Sequence, residues 1–162
     1  MLFRSGAQNN LLVEVLDALY KALVASNLSY EVIICDDKST DDSVALISQY
    51  YPQVKLISNE INSGFSPTIN KGIKIAQYDL VFLLNSDVKV SENYFEPQLR
   101  YFDKEDTFGV MGRILNWSDD GIQDGAKYPA FHGVKIKTTG NYIAENPDTN
   151  DYLYSMYLSG AN

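Results

Sequence analysis

The stretch YDLVFLLNSDVKV, Tyr78 to Val90, contains a run of large apolar residues that stops at a polar triplet. The run from Leu80 to Leu84 is short and uninterrupted, which is typical of a strand buried on both faces. The triplet NSD follows directly and ends in Asp87. Asp87 therefore either starts a turn or is a carboxylate that the fold holds at the end of a strand to bind a ligand.

Helical and strand patterns alternate upstream of this run. Residues 11–27 place apolar side chains at helical spacing, with Asn9 or Asn10 as the helix cap. Strands are predicted at residues 30–35 and 54–58, with a helix between them. The alternation predicts an α/β fold with a mostly parallel, Rossmann-like sheet flanked by helices.

A further helix is predicted after the Gly-containing loop at residues 62–65. Ser66 is expected to cap this helix and Pro67 to lie in its first turn, where the missing N–H is harmless. The inner stripe of the helix is predicted to consist of Ile69, Ile73 and Ala76.

The pattern weakens after Val90. A helix is predicted at residues 91–104 and a strand at 108–112, whereas residues 116–151 favour loops and short hairpins. Residues 152–160 predict a final strand.

The two ends of the sequence do not complete the predicted sheet. The polar stretch before residue 10 is not a convincing strand, although the sheet needs one before the first helix. The chain also stops directly after the predicted final strand. We therefore expect a single domain over residues 1–162 that is incomplete at both ends.

Composition limits the classes of partner and the compartment. The formal net charge of −8 argues against a nucleic-acid partner. An acidic protein that binds a phosphorylated molecule usually needs a divalent cation to offset the repulsion.

Cys35 is the single cysteine, so the chain can form no internal disulfide. No apolar run approaches the ~18 residues of a membrane span, and no signal peptide is recognisable, so a cytoplasmic protein is predicted.

Acidic residues follow two of the predicted strands. Asp36 and Asp37 lie at the end of one strand and Asp87 at the end of another. Because ligands of parallel α/β sheets bind beyond the carboxyl ends of the strands, these acids are expected on one ligand-binding rim.

Three motifs in this order and spacing, VIICDDKSTDDS, NSGFSPTINKGIKIA and DLVFLLNSDV, resemble the nucleotide-sugar-binding half of family 2 glycosyltransferases, which have the GT-A fold. Two later segments, GVMGRILNWSDDGIQDGA and YLSGAN, resemble the same family, particularly its rhamnosyltransferase-related members. The resemblance covers about residues 10–162. It implies that residues 10–90 form the nucleotide-sugar-binding half and that residues 91–162 begin a truncated acceptor-side half.

The resemblance implies a role for each acid. Asp37 matches the carboxylate that hydrogen-bonds the donor's nucleobase, whereas Asp36 is expected to hold the turn. Asp87 matches the last acid of the family's DxD motif, which binds Mn²⁺ or Mg²⁺ against the donor diphosphate. Asn85 takes the first position of that motif and is expected to contact the ribose, and Ser86 between them is included in the nucleotide-sugar site.

Further residues of the implied nucleotide-sugar site lie in the second motif. The loop NSGF lies close to the nucleotide in the family, which implicates Asn62, Gly64 and Phe65. Asn70 matches a recurrent polar position on the helix that follows.

The function that the resemblance implies is metal-assisted sugar transfer with inversion. The donor is a nucleotide-diphosphate sugar, and the acceptor is a saccharide or a lipid-linked saccharide of cell-surface polysaccharide biosynthesis. A lipid-linked acceptor would imply peripheral association with the inner face of the membrane. The family's catalytic base lies beyond Asn162, so the chain as given is expected to bind donor but to transfer little or no sugar.

Alternative interpretations remain open at this point. In one alternative, Asp87 starts a turn and has no ligand-binding role. In another, Asp37 caps the following helix and does not contact a nucleobase. A non-catalytic nucleotide-sugar-binding module would share the same motifs. A receiver domain would need its phosphoacceptor aspartate near position 84, where the sequence has leucine.

Overall fold

The computed structural model describes residues 2–5, 9–118, 121–138, 154, 155 and 158 of the chain. The chain packs into two compact units, which divide between Glu96 and Pro97. The single-domain assignment, with its halves at residues 10–90 and 91–162, stays a prediction.

The first unit is built on a four-stranded sheet in which every pairing is parallel. The strand order is β3-β2-β1-β4. The strands are β1 (Leu2–Ser5), β2 (Ile33–Asp36), β3 (Lys55–Ser58) and β4 (Leu83–Asn85). The predicted parallel α/β sheet is therefore confirmed.

The stretch before residue 10 does contain a strand, so the expectation that no convincing one precedes the first helix is wrong. β1 lies in the centre of the sheet and pairs with β2 on one side and β4 on the other. A four-residue strand shows little periodicity of its own. Hydrogen bonding along both edges stabilises it instead, and composition does not report that pairing.

Helices cover both faces of the sheet. They are α1 (Asn9–Ala25), α2 (Ser43–Tyr50) and α3 (Phe65–Ile75). Successive residues of β2 point to opposite faces: Ile34 packs in a core cluster with α1 and α2, whereas Ile33 packs with Ile69 of α3. The sheet is thus the middle layer of three, which explains why β2 is fully buried.

The predicted start and inner stripe of α3 are partly wrong. The cap is Gly64, and Ser66 lies inside the helix, while Pro67 is in the first turn as predicted. Ile73 is 40% exposed, and the buried residues are Thr68, Ile69 and Gly72. The stripe was assigned from hydrophobicity alone, but a small residue and a hydroxyl take the inward positions. The buried hydroxyl has partners in the site described below.

β4 is not buried on both faces, contrary to the expectation from its apolar run. It is the outer strand of the described sheet, and Leu83 is 39% exposed whereas Leu84 is buried. An outer strand with a helix layer on one side leaves part of its apolar surface uncovered.

The second unit contains short elements. They are α4 (Glu96–Leu99), whose first residue still belongs to the first unit, a 3₁₀ turn (Arg100–Asp103), the hairpin of β5 (Ile114–Leu115) with β6 (Ile122–Asp124), and the hairpin of β7 (Pro129–His132) with β8 (Lys135–Thr138). The predicted helix at residues 91–104 is shorter than expected. The predicted strand at 108–112 is wrong, because β5 begins only at Ile114. The short hairpins predicted after residue 116 are present. The predicted strand at 152–160 falls largely outside the described residues.

Among the helices that the structure describes, none has both the length and the apolar character of a membrane-crossing segment.

Candidate functional site

The carboxyl ends of the parallel strands form one rim. Asp36 ends β2 and pairs in register with Ser5, while Asn85 ends β4 and pairs with Arg4. Because β1 lies between these strands and neighbouring strands are ~4.8 Å apart, the ends of β2 and β4 are about 10 Å apart across the rim. A gap of this width is suited to a small ligand lying over the end of β1.

Asp36 holds the turn that leaves β2. Its side chain is buried, and both carboxylate oxygens lie 3.2 Å from the backbone N of Ser39, which donates. Lys38 in this turn has a φ of 62°, in the left-handed region that non-glycine residues rarely occupy. Asp36 therefore stabilises a strained turn at the rim.

Asp37 lies at the centre of a buried polar network. Its Oδ1 accepts hydrogen bonds from Asn59 Nδ2 (2.8 Å), the backbone N of Ser63 (2.8 Å) and Thr68 Oγ1 (2.9 Å). Its Oδ2 accepts from the backbone N of Gly64 at 2.8 Å. The carboxylate thus joins the end of β2 to residues 60–64, which we call the rim loop, and to the start of α3.

The hydrogen bonds keep Asp37 ionised despite its burial. Burial by itself raises the pKa of this carboxyl group, but the four donors outweigh that effect and lower the pKa to about 2. Asp37 is only 4% exposed. The structure therefore shows Asp37 as the anchor of the rim loop, and a contact between Asp37 and a nucleobase stays a prediction.

Asp37 is not the cap of α2, which was the alternative for this residue. Asp42 takes the cap position of α2, and the carboxylate that accepts from the backbone N of Ser43 belongs to Asp41, at 3.1 Å. The carboxylate of Asp37 lies instead at the amino end of α3, where a negative charge is stabilised by the helix dipole.

The remaining residues of the second motif differ in exposure. Asn62 is exposed, and its Oδ1 accepts from the backbone N of Gly64 at 3.3 Å. Phe65 is half-buried and packs against the cluster of Ile33, which fixes the first turn of α3 to the sheet. Asn70 is exposed on α3. Of these side chains, those of Asn62 and Asn70 are accessible to a ligand.

Gly64 has a conformation that only glycine adopts readily, with φ 83° and ψ 173°. A Cβ built on Gly64 would meet no atom within 4 Å. The requirement for glycine is therefore conformational and not steric.

We expect Gly64→Ala to lower the free energy of unfolding by about 1–3 kcal/mol, because alanine is strained in this region of φ and ψ. Urea denaturation of the variant measures the change. Ser66→Ala is the matched control, since Ser66 is exposed inside α3 and its removal is expected to change stability by less than about 0.5 kcal/mol. Equal stabilities of the two variants would contradict the conformational requirement.

The end of β4 presents the third acid. Asn85 is half-buried, Ser86 is buried, and Asp87 is exposed in the following turn, where the backbone N of Val88 donates to the carbonyl oxygen of Asn85 at 3.2 Å. Within the described part of the chain, no three acidic, histidine or cysteine side chains are grouped as a preformed metal site. The oxygen donors present fit a hard cation that takes one carboxylate from the protein and its other ligands from phosphate and water, as Mg²⁺ often does.

Sequence reasoning missed three residues of the network: Asn59, Thr68 and Lys71. Asn59 and Thr68 are buried, and Asn59 Oδ1 accepts from Lys71 Nζ at 2.6 Å. One signal could have found Thr68, because it lies four residues before Gly72 on the buried face of α3. Asn59 could have been noted as a polar residue directly after β3, at the same rim as the acids.

A comparison with known proteins identifies the family. The family model described as glycosyl transferase family 2 matches residues 7–157. The chain belongs to glycosyltransferase family 2. The chain is 36% identical over 121 residues to the uncharacterized glycosyltransferase YibD of Escherichia coli, a match that covers 73% of the chain and 33% of YibD. It is 32% identical over 120 residues to poly(ribitol-phosphate) beta-glucosyltransferase of Bacillus spizizenii, covering 70% of the chain and 18% of that enzyme.

Solved structures confirm the GT-A fold of the chain. The crystal structure of S. aureus TarS superposes with a TM-score of 0.56 at 22% identity, over 80% of the chain and 24% of TarS. TarS in complex with UDP-GlcNAc superposes with a TM-score of 0.54 at 22% identity, over 63% of the chain and 30% of that protein. The chain thus spans a third or less of the length of each of these proteins.

Proposed function

We propose that this chain is the donor-binding part of an inverting glycosyltransferase that uses a nucleoside-diphosphate sugar. The observation that carries the proposal is the arrangement of the rim: the end of β2, where Asp37 holds the rim loop, lies about 10 Å across the sheet edge from the end of β4, and the exposed Asp87 follows β4. The acceptor in this proposal is a saccharide or a lipid-linked saccharide. Peripheral association with the inner face of the membrane would accompany a lipid-linked acceptor.

Different parts of the donor are expected to bind at the two sides of the rim. The carboxylate of Asp37 already occupies the amino end of α3, so the diphosphate is expected on the β4 side and the nucleoside beside the rim loop. Asn62 offers an amide group to the nucleoside, and Asn85 offers one nearer to the ribose. Asp37 holds the rim loop that carries Asn62, and Asp36 holds the turn that follows β2.

Asp87 is the residue proposed to hold Mn²⁺ or Mg²⁺, with Asn85 beside it. A divalent cation bound with the donor would neutralise charge on the diphosphate. The chain carries a net charge of −8, so a donor diphosphate without a cation would meet repulsion. This is why we expect nucleotide binding to depend on the cation.

Relatives guide the choice of nucleotide and acceptor. TarS has been solved with UDP and with UDP-GlcNAc, and the B. spizizenii relative is named as a glucosyltransferase acting on poly(ribitol-phosphate). UDP is therefore the first nucleotide to test, followed by dTDP and GDP. A cell-surface polymer is the proposed class of acceptor.

The test is a thermal-unfolding titration of the chain with UDP, dTDP and GDP, with and without Mn²⁺. A ligand at a hundred times its Kd stabilises the folded state by about 2.7 kcal/mol. For a chain of this size, that is expected to raise Tm by roughly 5–10 °C. The control is the same titration with EDTA, in which the stabilisation is expected to disappear. The absence of a shift with all three nucleotides at millimolar concentration in Mn²⁺ would refute the proposed donor site.

Sugar transfer distinguishes the enzyme from a non-catalytic binding module. A chain extended beyond Asn162 is expected to release free nucleotide from a nucleotide-sugar in the presence of acceptor, whereas residues 1–162 alone are expected to show little or no transfer. Nucleotide binding without transfer by the extended chain would support the binding module instead.

A further inference from the structure

Asn59 connects three elements at the carboxyl edge of the sheet. It follows β3 directly, it is 7% exposed, and its backbone N donates to the carbonyl oxygen of Asp36 at 2.9 Å. Its side-chain Nδ2 donates to Asp37 Oδ1 at 2.8 Å and to Thr68 Oγ1 at 2.7 Å. Its Oδ1 accepts from Lys71 Nζ at 2.6 Å. One side chain therefore links the ends of β2 and β3 to α3.

The chemistry of the partners fixes the direction of each of these hydrogen bonds. A carboxylate only accepts and an ammonium only donates, so the amide of Asn59 must turn Nδ2 to Asp37 and Oδ1 to Lys71. The Thr68 hydroxyl then accepts from Asn59 and donates to Asp37 Oδ1 at 2.9 Å. A buried network in which the donors and acceptors match in this way holds its members in one arrangement.

Asp37 connects this network to the rim loop. Because its carboxylate accepts from the backbone N of Ser63 and of Gly64, any shift of Asp37 moves the loop. The ammonium group of Lys71 is hydrogen-bonded to Asn59, and Asn59 is hydrogen-bonded to Asp37. A positive charge is therefore linked to the buried carboxylate through one side chain.

The packing of α3 does not depend on Lys71. Ile69 and Phe65 supply the apolar contacts between α3 and the sheet, in the cluster that contains Ile33. Lys71 lies on the exposed part of the helix. Its hydrogen bond to Asn59 can therefore be removed while the apolar contacts of α3 with the sheet remain.

We propose that Asn59 and Lys71 are positioning residues for nucleotide binding, which act through Asp37 to hold the rim loop in the conformation that receives the nucleoside of the donor. The inference rests on the proposed function. It adds two residues to which the family resemblance assigned no role, and neither is proposed to touch the donor.

The test compares three lysine substitutions on α3. Lys71→Met keeps the aliphatic stem but removes the donor to Asn59, and we expect it to raise the Kd for UDP with Mn²⁺ by about tenfold while Tm changes by less than about 2 °C. Lys71→Arg restores a cationic donor, and its Kd is expected to lie within about twofold of wild type. Lys74→Met is the matched control on the same helix and is expected to leave Kd unchanged.

A measurement without ligand tests the order of the rim loop independently of nucleotide binding. Hydrogen exchange of the Ser63 and Gly64 amides is expected to be several-fold faster in Lys71→Met than in wild type or Lys74→Met. Asn59→Leu is expected to raise both the exchange rates and Kd, and also to lower Tm, because Asp37 and Thr68 lose a buried donor.

Each contrary outcome points to a different failure. If Lys71→Met leaves exchange and Kd unchanged, the positioning role is refuted. If exchange accelerates but Kd does not change, the network orders a loop that the nucleotide does not use, which also refutes the inference. If the wild-type chain binds none of the nucleotides, the proposed function fails first, and the positioning role fails with it because the loop then has no nucleotide to receive.

Discussion

Asp37→Ala is expected to lower the free energy of unfolding by about 3 kcal/mol, which corresponds to a fall in Tm of roughly 6–12 °C. The substitution leaves Asn59 and Thr68 buried without their acceptor and frees the backbone N–H groups of Ser63 and Gly64. An unsatisfied buried polar group is destabilising by about 1–3 kcal/mol, and the exposed part of the loop can recover some bonds to water. Urea denaturation monitored by circular dichroism measures the loss.

A milder pair of variants keeps this prediction testable if Asp37→Ala does not fold. Asp37→Asn retains one oxygen for the three donors on Oδ1 but turns an NH₂ group towards the N–H of Gly64. Asp36→Asn is the matched control, because Asp36 is equally buried but accepts longer hydrogen bonds, at 3.2 Å, from the backbone N of Ser39. We expect Asp37→Asn to be the less stable of the two, and the opposite order would contradict the role of Asp37 as the anchor.

The same carboxylate predicts a pH dependence of stability. The pKa of Asp37 is lowered from 3.8 to about 2 on folding, so its contribution is fully present above about pH 4 and is lost as the pH falls towards 2. The difference in unfolding free energy between wild type and Asp37→Asn is therefore expected to shrink between pH 4 and pH 2. A difference that stays constant across this range would show that the charge of Asp37 does not stabilise the fold.

Asp87→Ala is expected to abolish the Mn²⁺-dependent stabilisation by nucleotide while leaving the unliganded protein almost unchanged. Asp87 is exposed in the turn after β4, and exposed substitutions of this kind usually change stability by less than about 0.5 kcal/mol. The proposed cation takes its protein carboxylate from Asp87, so its removal is expected to eliminate the Tm increase of roughly 5–10 °C at saturating UDP. The thermal-unfolding titration in Mn²⁺ measures both quantities.

Asp79→Ala is the matched control for Asp87→Ala. Asp79 is also exposed and lies just before β4, at the other end of the strand from the rim. The Asp79→Ala substitution removes the same charge from the protein as Asp87→Ala does. It therefore controls for a general effect of net charge on anion binding. Equal losses of nucleotide binding in the two variants would mean that Asp87 acts only through net charge or through its turn.

The fold could be predicted where periodicity is long enough to read. The helix at residues 11–27 and the buried strand ending at Cys35 were located from spacing alone, and alternation of the two element types implied the parallel sheet. β1 was missed because four residues carry no usable period. Its central place depends on strands that come 31 and 81 positions later, since Leu2 pairs with Ile33 and with Leu83.

The candidate site could be predicted only as a set of positions. The sequence located Asp37 at a strand end, but its partners Ser63, Gly64 and Thr68 lie 26, 27 and 31 residues further along the chain. Hydrophobic periodicity does not report contacts at such separations. Lys71 was missed for the same reason, since a lysine on a helix is normally read as a solvated side chain.

By itself, the sequence determined the alternation of helices and strands from α1 to β4, and with it the rim on which the acids lie, because side-chain periodicity follows directly from backbone geometry. Only the tertiary structure decided how the acids differ. Asp37 is enclosed by donors from another strand end and a helix, so it is buried, ionised and already paired, whereas Asp87 remains open to solvent. The difference arises because the solvation and hydrogen bonding of a carboxylate depend on which distant segments surround it, and that is fixed only when the chain is folded.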